Sequence, residues 1–158
     1  MLVISMVLGL GLLTHFFQDV LDTQNNPNQK IHTTQTSDQH LEITLKRNRS
    51  GHYVGTGIIN GSEAIFLLDT GATYVAVPEH MARQLKLKKG RKVPISTANG
   101  RSAGYQTNIK ELSIGQIHLY NIKAIITPKL EEILLGMSVL KQLEFTQRGD
   151  LLTIRQYL

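Results

Sequence analysis

Residues 66–78 read Phe-Leu-Leu-Asp-Thr-Gly-Ala-Thr-Tyr-Val-Ala-Val-Pro, an apolar run that ends in Asp69, Thr70 and Gly71 before a second apolar run begins. Phe66 to Leu68 has the texture of a core strand, and a carboxylate carried out of a core strand must be paired, hydrogen-bonded or functional, because desolvation penalises its charged form. Thr70 is placed to brace the acid, and Gly71 allows close approach of backbone. An Asp that merely opens a turn is the plain alternative, and three letters do not separate the two.

On either side of this stretch the sequence from Glu42 onward reads as short β-rich runs between turn signals, which predicts a mainly β domain. Asn60-Gly61 between His52–Ile59 and Glu63–Leu68 predicts a tight hairpin. Asn99-Gly100 predicts another, joining 92–98 to 101–114, and Gly115 a third, leading into Ile117–Thr127. Pro78 at a first helical position and Gly90 beyond its end predict a helix of about ten residues over Pro78–Leu87, with Met81, Ala82 and Leu85 turned inward. Met137–Leu143 is a second, shorter helix candidate. Both follow an apolar strand and a glycine, Phe66–Gly71 and Ile133–Gly136, so one supersecondary unit occurs twice and only its first copy carries an acid.

The amino-terminal end differs. Leu2–Phe17 contains no charged side chain and is long enough to approach a membrane span. It lacks the basic leader and small-residue cleavage site of a secretory signal, so residues 1–21 are expected to form a transmembrane anchor. The next stretch is rich in Gln, Asn, Thr, Asp and Ser, and residues 22–44 are expected to form a flexible polar tether. Residues 45–158 are expected to be the folded domain.

The chain has 158 residues, enough for one domain with appendages, and its 41% apolar and 18% charged content suits an ordinary core. The absence of cysteine removes thiolate catalysis, disulfides and cysteine-bound metal centres. Six histidines show no close ligand spacing, Gly55-Thr56-Gly57 sits inside a strand with no following helix, and no cofactor or metal is expected. Net charge is +5, with all 17 basic residues from Lys30 onward. The densest group, Lys86, Lys88, Lys89, Arg91 and Lys92, has no interleaved aromatics, so it reads as a solvated helix end and loop rather than a nucleic-acid surface.

Taken together, Asn48–Gly61 (NRSGHYVGTGIING), Phe66–Pro78, Ser96–Gly100 (STANG) and Leu134–Phe145 (LLGMSVLKQLEF) resemble the membrane-anchored, retropepsin-like aspartic proteases of bacteria, which carry one DTG motif per chain. The likeness spans nearly all of residues 48–157. It implies a small half-pepsin barrel with one or two short helices, active as a symmetric homodimer on peptide or protein substrates. It implies catalytic roles for Asp69, Thr70 and Gly71, and a flap at the Asn99-Gly100 hairpin. Ala72, Thr97, Ala98, Asn99 and Gly100 are then the expected substrate-binding residues. Leu134–Gly136 is expected to support the DTG loop from beneath. Leu151–Tyr157 is expected either as an intersubunit strand or as one paired within its own subunit. The likeness further implies an inner-membrane location with the catalytic domain on the periplasmic side. A non-catalytic, partner-binding dimer of the same fold is the alternative, and the intact DTG motif argues against it.

Overall fold

The computed structural model describes residues 2–36, 39–97 and 100–157. The chain opens with helix α1 (Leu2–Asn25), followed by β1 (Thr33–Thr36) and β2 (His40–Lys46). Strands β3 (Val54–Ile59), β4 (Ser62–Leu68) and β5 (Val75–Pro78) come next, then β6 (Lys92–Thr97), β7 (Gly100–Ile114), β8 (Ile117–Thr127) and β9 (Ile133–Leu135). A short helix α2 (Met137–Leu140) and the hairpin of β10 (Glu144–Arg148) with β11 (Leu151–Tyr157) complete it.

Among the described residues the strands form two sheets. The larger runs β3-β4-β9-β5-β8-β7-β6, and an extra pairing of Ile58–Ile59 with Leu112–Ser113 joins β3 to β7, closing all but β6 into a ring. The smaller runs β1-β2-β11-β10. Period-2 alternation sends one face of each strand inward. Ile109, Ile122, Ile126 and Ile133 from the ring and Ile43, Leu45, Leu152 and Ile154 from the small sheet meet in one core.

The predicted hairpins form. Asn60 and Gly61 take φ of 50° and 80° between the paired Ile59 and Ser62, the left-handed pair a two-residue turn of this kind needs. Ile114 pairs with Ile117 around Gly115, at φ 59°. Thr97 pairs with Gly100, so Gly100, expected in the turn, belongs to strand β7; residues 98 and 99 lie outside the described residues.

The helix expected over Pro78–Leu87 is corrected to a single 3₁₀ turn at Glu79–Met81 and an irregular turn after it. Lys86 adopts φ 56°; its N–H donates to the Arg83 carbonyl and the Leu87 N–H reaches the Ala82 carbonyl. These bonds are a helix-ending cap with a left-handed residue, and they close the turn four residues before Gly90. The inward residues are as expected, with Leu85 fully buried and Ala82 nearly so. The lysines after this turn are tied down rather than only solvated: Lys86 Nζ donates to the Asn60 carbonyl, and Lys89 bonds Glu79 while its ammonium lies 4.8 Å from the Tyr105 ring centre.

Over Val3–Asn25 helix α1 exposes its whole apolar surface, and this stretch is long and apolar enough to cross a membrane. Residues 22–44, expected as a flexible tether, instead hold the last turn of α1, β1 and most of β2. Asn48 Nδ2 donates to the Asn25 carbonyl, and Asn26 Nδ2 to Thr56 Oγ1. Asn28 is buried and fills a gap between β2 and β3: its amide donates to the carbonyls of Lys46 and Val54, and its Oδ1 accepts the Lys46 N–H. Burying these polar groups is tolerable because each finds a partner.

Candidate active site

Strand β4 delivers Asp69 to the edge of the ring, where its N–H donates to the Leu135 carbonyl at 3.0 Å. The carboxylate is held from below: Asp69 Oδ1 accepts the Gly71 N–H at 2.8 Å, and the Ala72 N–H turns back to the Asp69 carbonyl. A Cβ at position 71 would stand 3.1 Å from that same Oδ1, so glycine leaves the acid room. The brace is therefore the Gly71 backbone rather than the Thr70 hydroxyl. Thr70 and Gly71 are exposed, and Asp69 is half-buried.

Beneath this loop lies the second copy of the unit. Strands β4 and β9 run parallel, with Phe66 opposite Ile133, Leu67 opposite Leu134 and Leu68 opposite Leu135, so Gly136 succeeds β9 where Asp69 succeeds β4. The Met137 and Ser138 N–H groups donate to the carbonyls of Ala72 and Thr73, and the Val75 N–H donates to Ser138 Oγ at 3.0 Å. A Cβ on Gly136 would collide with the Tyr74 carbonyl and stand 2.5 Å from the Ala72 carbonyl oxygen. Leu134–Gly136 thus packs under the DTG loop. Ser138 was not singled out in the sequence; its signal was its place just past the repeated strand-glycine step.

A cleft of about 950 Å³ opens above Asp69. The loop contributes Asp69, Gly71, Ala72 and Tyr74 to one side, and the β6–β7 hairpin contributes Pro94, Ile95, Ser96, Gly100 and Ser102 to the other. Of the expected substrate-binding residues, Ala72 and Gly100 line this cleft and Thr97 ends β6 opposite Gly100. Ala98 and Asn99 lie outside the described residues. Ile125, Leu130 and Leu134 give the cleft apolar walls, and Lys129 is the cation among its lining residues. A polar recess of about 820 Å³ lies elsewhere, between the end of α1 and β3–β4, and takes in no part of the Asp69 loop.

A closed β ring with a DTG acid in a cleft walled on one side by a hairpin is the arrangement of the small, one-lobed aspartic proteinases. Comparison with known proteins agrees. Residues 55–142, more than half of the chain, match the family described as "gag-polyprotein putative aspartyl protease". The crystal structure of a retropepsin-like aspartic protease from Rickettsia conorii superimposes with a TM-score of 0.64 at 31% identity, covering 80% of this chain and 96% of that one. EIAV protease, complexed with the inhibitor HBY-793, shares the fold at a TM-score of 0.51 and 21% identity, over 61% of this chain and 92% of that one. An uncharacterized protein in the cobV 5′ region of Sinorhizobium sp. is 35% identical over 125 residues, 75% of this chain; the chain spans 54% of that relative's length. The chain belongs to the retropepsin-like aspartyl protease family.

Proposed function

We propose that the protein is a membrane-anchored aspartic endopeptidase whose reaction centre is completed by a second copy of the chain. The observation that carries this reading is the inequality of the two repeated units: Asp69 stands at the floor of the cleft, and the matching position after β9 is Gly136. Hydrolysis by this chemistry needs two carboxylates that share one proton, because like charges so close do not both ionise. A twofold axis beside Asp69 supplies the pair from identical chains, and the exposure of Thr70 and Gly71 leaves that approach open.

In such a dyad the ionised carboxylate takes a proton from a water held between the two acids. The water oxygen bonds to the scissile carbonyl carbon as the protonated carboxyl gives its proton to the carbonyl oxygen, forming a neutral tetrahedral diol. Proton return to the amide nitrogen lets the C–N bond break, which leaves one new carboxyl and one new amine. Ala72, Thr97, Ala98, Asn99 and Gly100 serve as the substrate-binding positions, through backbone groups that pair with an extended peptide as an added strand. The β6–β7 hairpin is the flap that excludes water and holds the peptide. Helix α1 is the anchor, single-pass in a bacterial inner membrane, with the catalytic domain on the periplasmic side.

The test is cleavage of a peptide library by the full chain across pH, beside Asp69→Asn and Asp69→Ala. A bell-shaped profile on the acidic side of neutral is expected, with both variants inactive. In an equal mixture of wild-type and Asp69→Asn chains, about a quarter of dimers retain both acids, so activity falls to about a quarter rather than about half. Cleavage that survives both substitutions rejects the mechanism.

A further inference from the structure

On the reading just given, each chain must offer its twin a surface beside the Asp69 loop. The carboxyl-terminal strand, one candidate for that surface, is already occupied: β11 is paired on one edge with β10 and on the other with β2, each over most of its length. The small sheet therefore ends in β1 and β10, and unpaired strand edges are the surfaces on which another chain can add.

These two edges differ in where they lie. β1 sits at the tip of the β7–β8 hairpin, where the Gln116 N–H donates to Thr33 Oγ1 at 2.8 Å. From that tip β8 runs the length of its strand before reaching the cleft at Thr127, a path on the order of 30 Å at the usual rise per residue. β10 begins just after α2, the helix whose first N–H groups hold the carbonyls of Ala72 and Thr73. The free edge beside the reaction centre is therefore β10, and every one of its residues is exposed.

The sequence of that edge, Glu144-Phe145-Thr146-Gln147-Arg148, is complementary to itself. Twofold symmetry between antiparallel strands requires some residue to stand opposite its own copy. With Thr146 on the axis, Glu144 faces the partner's Arg148 and Phe145 faces the partner's Gln147. Centring on Phe145 sets Glu144 against Thr146 and Arg148 against Gln142, and centring on Gln147 sets Arg148 against Thr146 and Glu144 against Asp150, so neither pairs opposite charges. Opposite charges placed directly across strands stabilise the pair, and like charges oppose it. Glu144 is already oriented by the Tyr157 hydroxyl at 2.6 Å and by Arg155 at 3.1 Å, while Arg148 meets no carboxylate among the described residues.

We infer that two chains join edge to edge along β10, antiparallel, with Thr146 on the twofold axis and the Glu144 of each opposite the Arg148 of the other. The join continues the small sheet of one subunit into that of the next and brings the two Asp69 loops to the same face of the joined sheet, across the axis from each other.

The chain has no cysteine, so single introduced thiols report on this register without background. Thr146→Cys in the full, membrane-embedded chain puts the two Cα atoms about 4.5–5.5 Å apart, within disulfide reach. Glu144→Cys and Arg148→Cys lie on the order of 13 Å from their own copies, beyond that reach. Under mild oxidation the Thr146→Cys chain is expected to give at least tenfold more linked dimer than either flanking variant. Adding Arg148→Glu should lower the Thr146→Cys yield about tenfold, and adding Arg148→Lys should retain it. Equal yields at 144, 146 and 148, or no link at 146, overturn the proposal. The interface and the protease reading fail separately. A Thr146 link in a chain that cuts no peptide sinks only the latter; Asp69-dependent cleavage without the link sinks only the former.

Discussion

Two strands of the ring, β4 and β9, lie side by side, run the same way and end at the same level, yet the chain leaves them in opposite senses. After β4 it turns outward and exposes Thr70 and Gly71 around a half-buried acid. After β9 it turns inward through Gly136 into α2, whose Ser138, Val139 and Leu140 are buried. The inward unit provides the rigidity of the outward one: the Met137 and Ser138 N–H groups donate to the Ala72 and Thr73 carbonyls, and Ser138 Oγ accepts the Val75 N–H. A loop that keeps an acid half-exposed has few contacts of its own, so its position is fixed by a neighbour that spends its own polar groups on it.

The comparison can be broken first at the acid. Asp69→Asn should lower peptide hydrolysis on the order of 10⁴-fold, the upper range for loss of a general acid–base group. Its melting temperature should hardly move, since the amide Oδ1 still accepts the Gly71 N–H. The reverse pattern is expected at Gly136→Ala. The new methyl group meets backbone oxygens that cannot retreat, at a cost of about 3 kcal/mol read from the urea midpoint, and the displaced loop should lose activity as well. A milder lesion is Ser138→Ala, which leaves the buried Val75 N–H unpaired for about 1–3 kcal/mol. If Ser138→Ala lowered activity with no loss of stability, the division of labour between the two units would need redrawing.

The smallest expected effect lies downstream of the second unit. Hydrogen bonds from Tyr157, and then from Arg155, hold the Glu144 carboxyl below the usual glutamate range. A depressed carboxyl stabilises the fold above its ordinary titration range, and that contribution disappears as pH falls through the lowered folded value. Thermal melts of wild type and Glu144→Gln should therefore differ slightly at about pH 7 and converge by about pH 3. A gap that widens on acidification reverses the sign and refutes the assignment.

Much of this was legible in the sequence because the signals were local. Asn60-Gly61 states its own turn type, and Phe66–Leu68 announces a core strand that stops at an acid. A second Leu-Leu step, ending at Gly136 where the first ends at Asp69, announces the second unit. The helix expected from Pro78 failed because its end is decided by tertiary contacts: burial of both Leu85 and Leu87 requires the chain to reverse at Lys86, and a lysine takes the left-handed conformation that Gly90 was expected to supply. The pinned segment after α1 was unreadable for a related reason. Asn28 has the composition of a loop residue, and its partners, Lys46 and Val54, are far along the chain. Pairing of β11 on both sides was equally a long-range fact, set by β2.

Helix α1 does not trail from the body on slack chain; Asn25, Asn26 and Asn28 bolt its end to β2, β3 and the loop between them. A bilayer that grips the helix would thereby also dictate the height and heading of the cleft, and a polypeptide reaching it would have to arrive at that altitude and from that bearing. Selection among targets would then begin with where their vulnerable segments stand above the lipid, before any side chain is sampled.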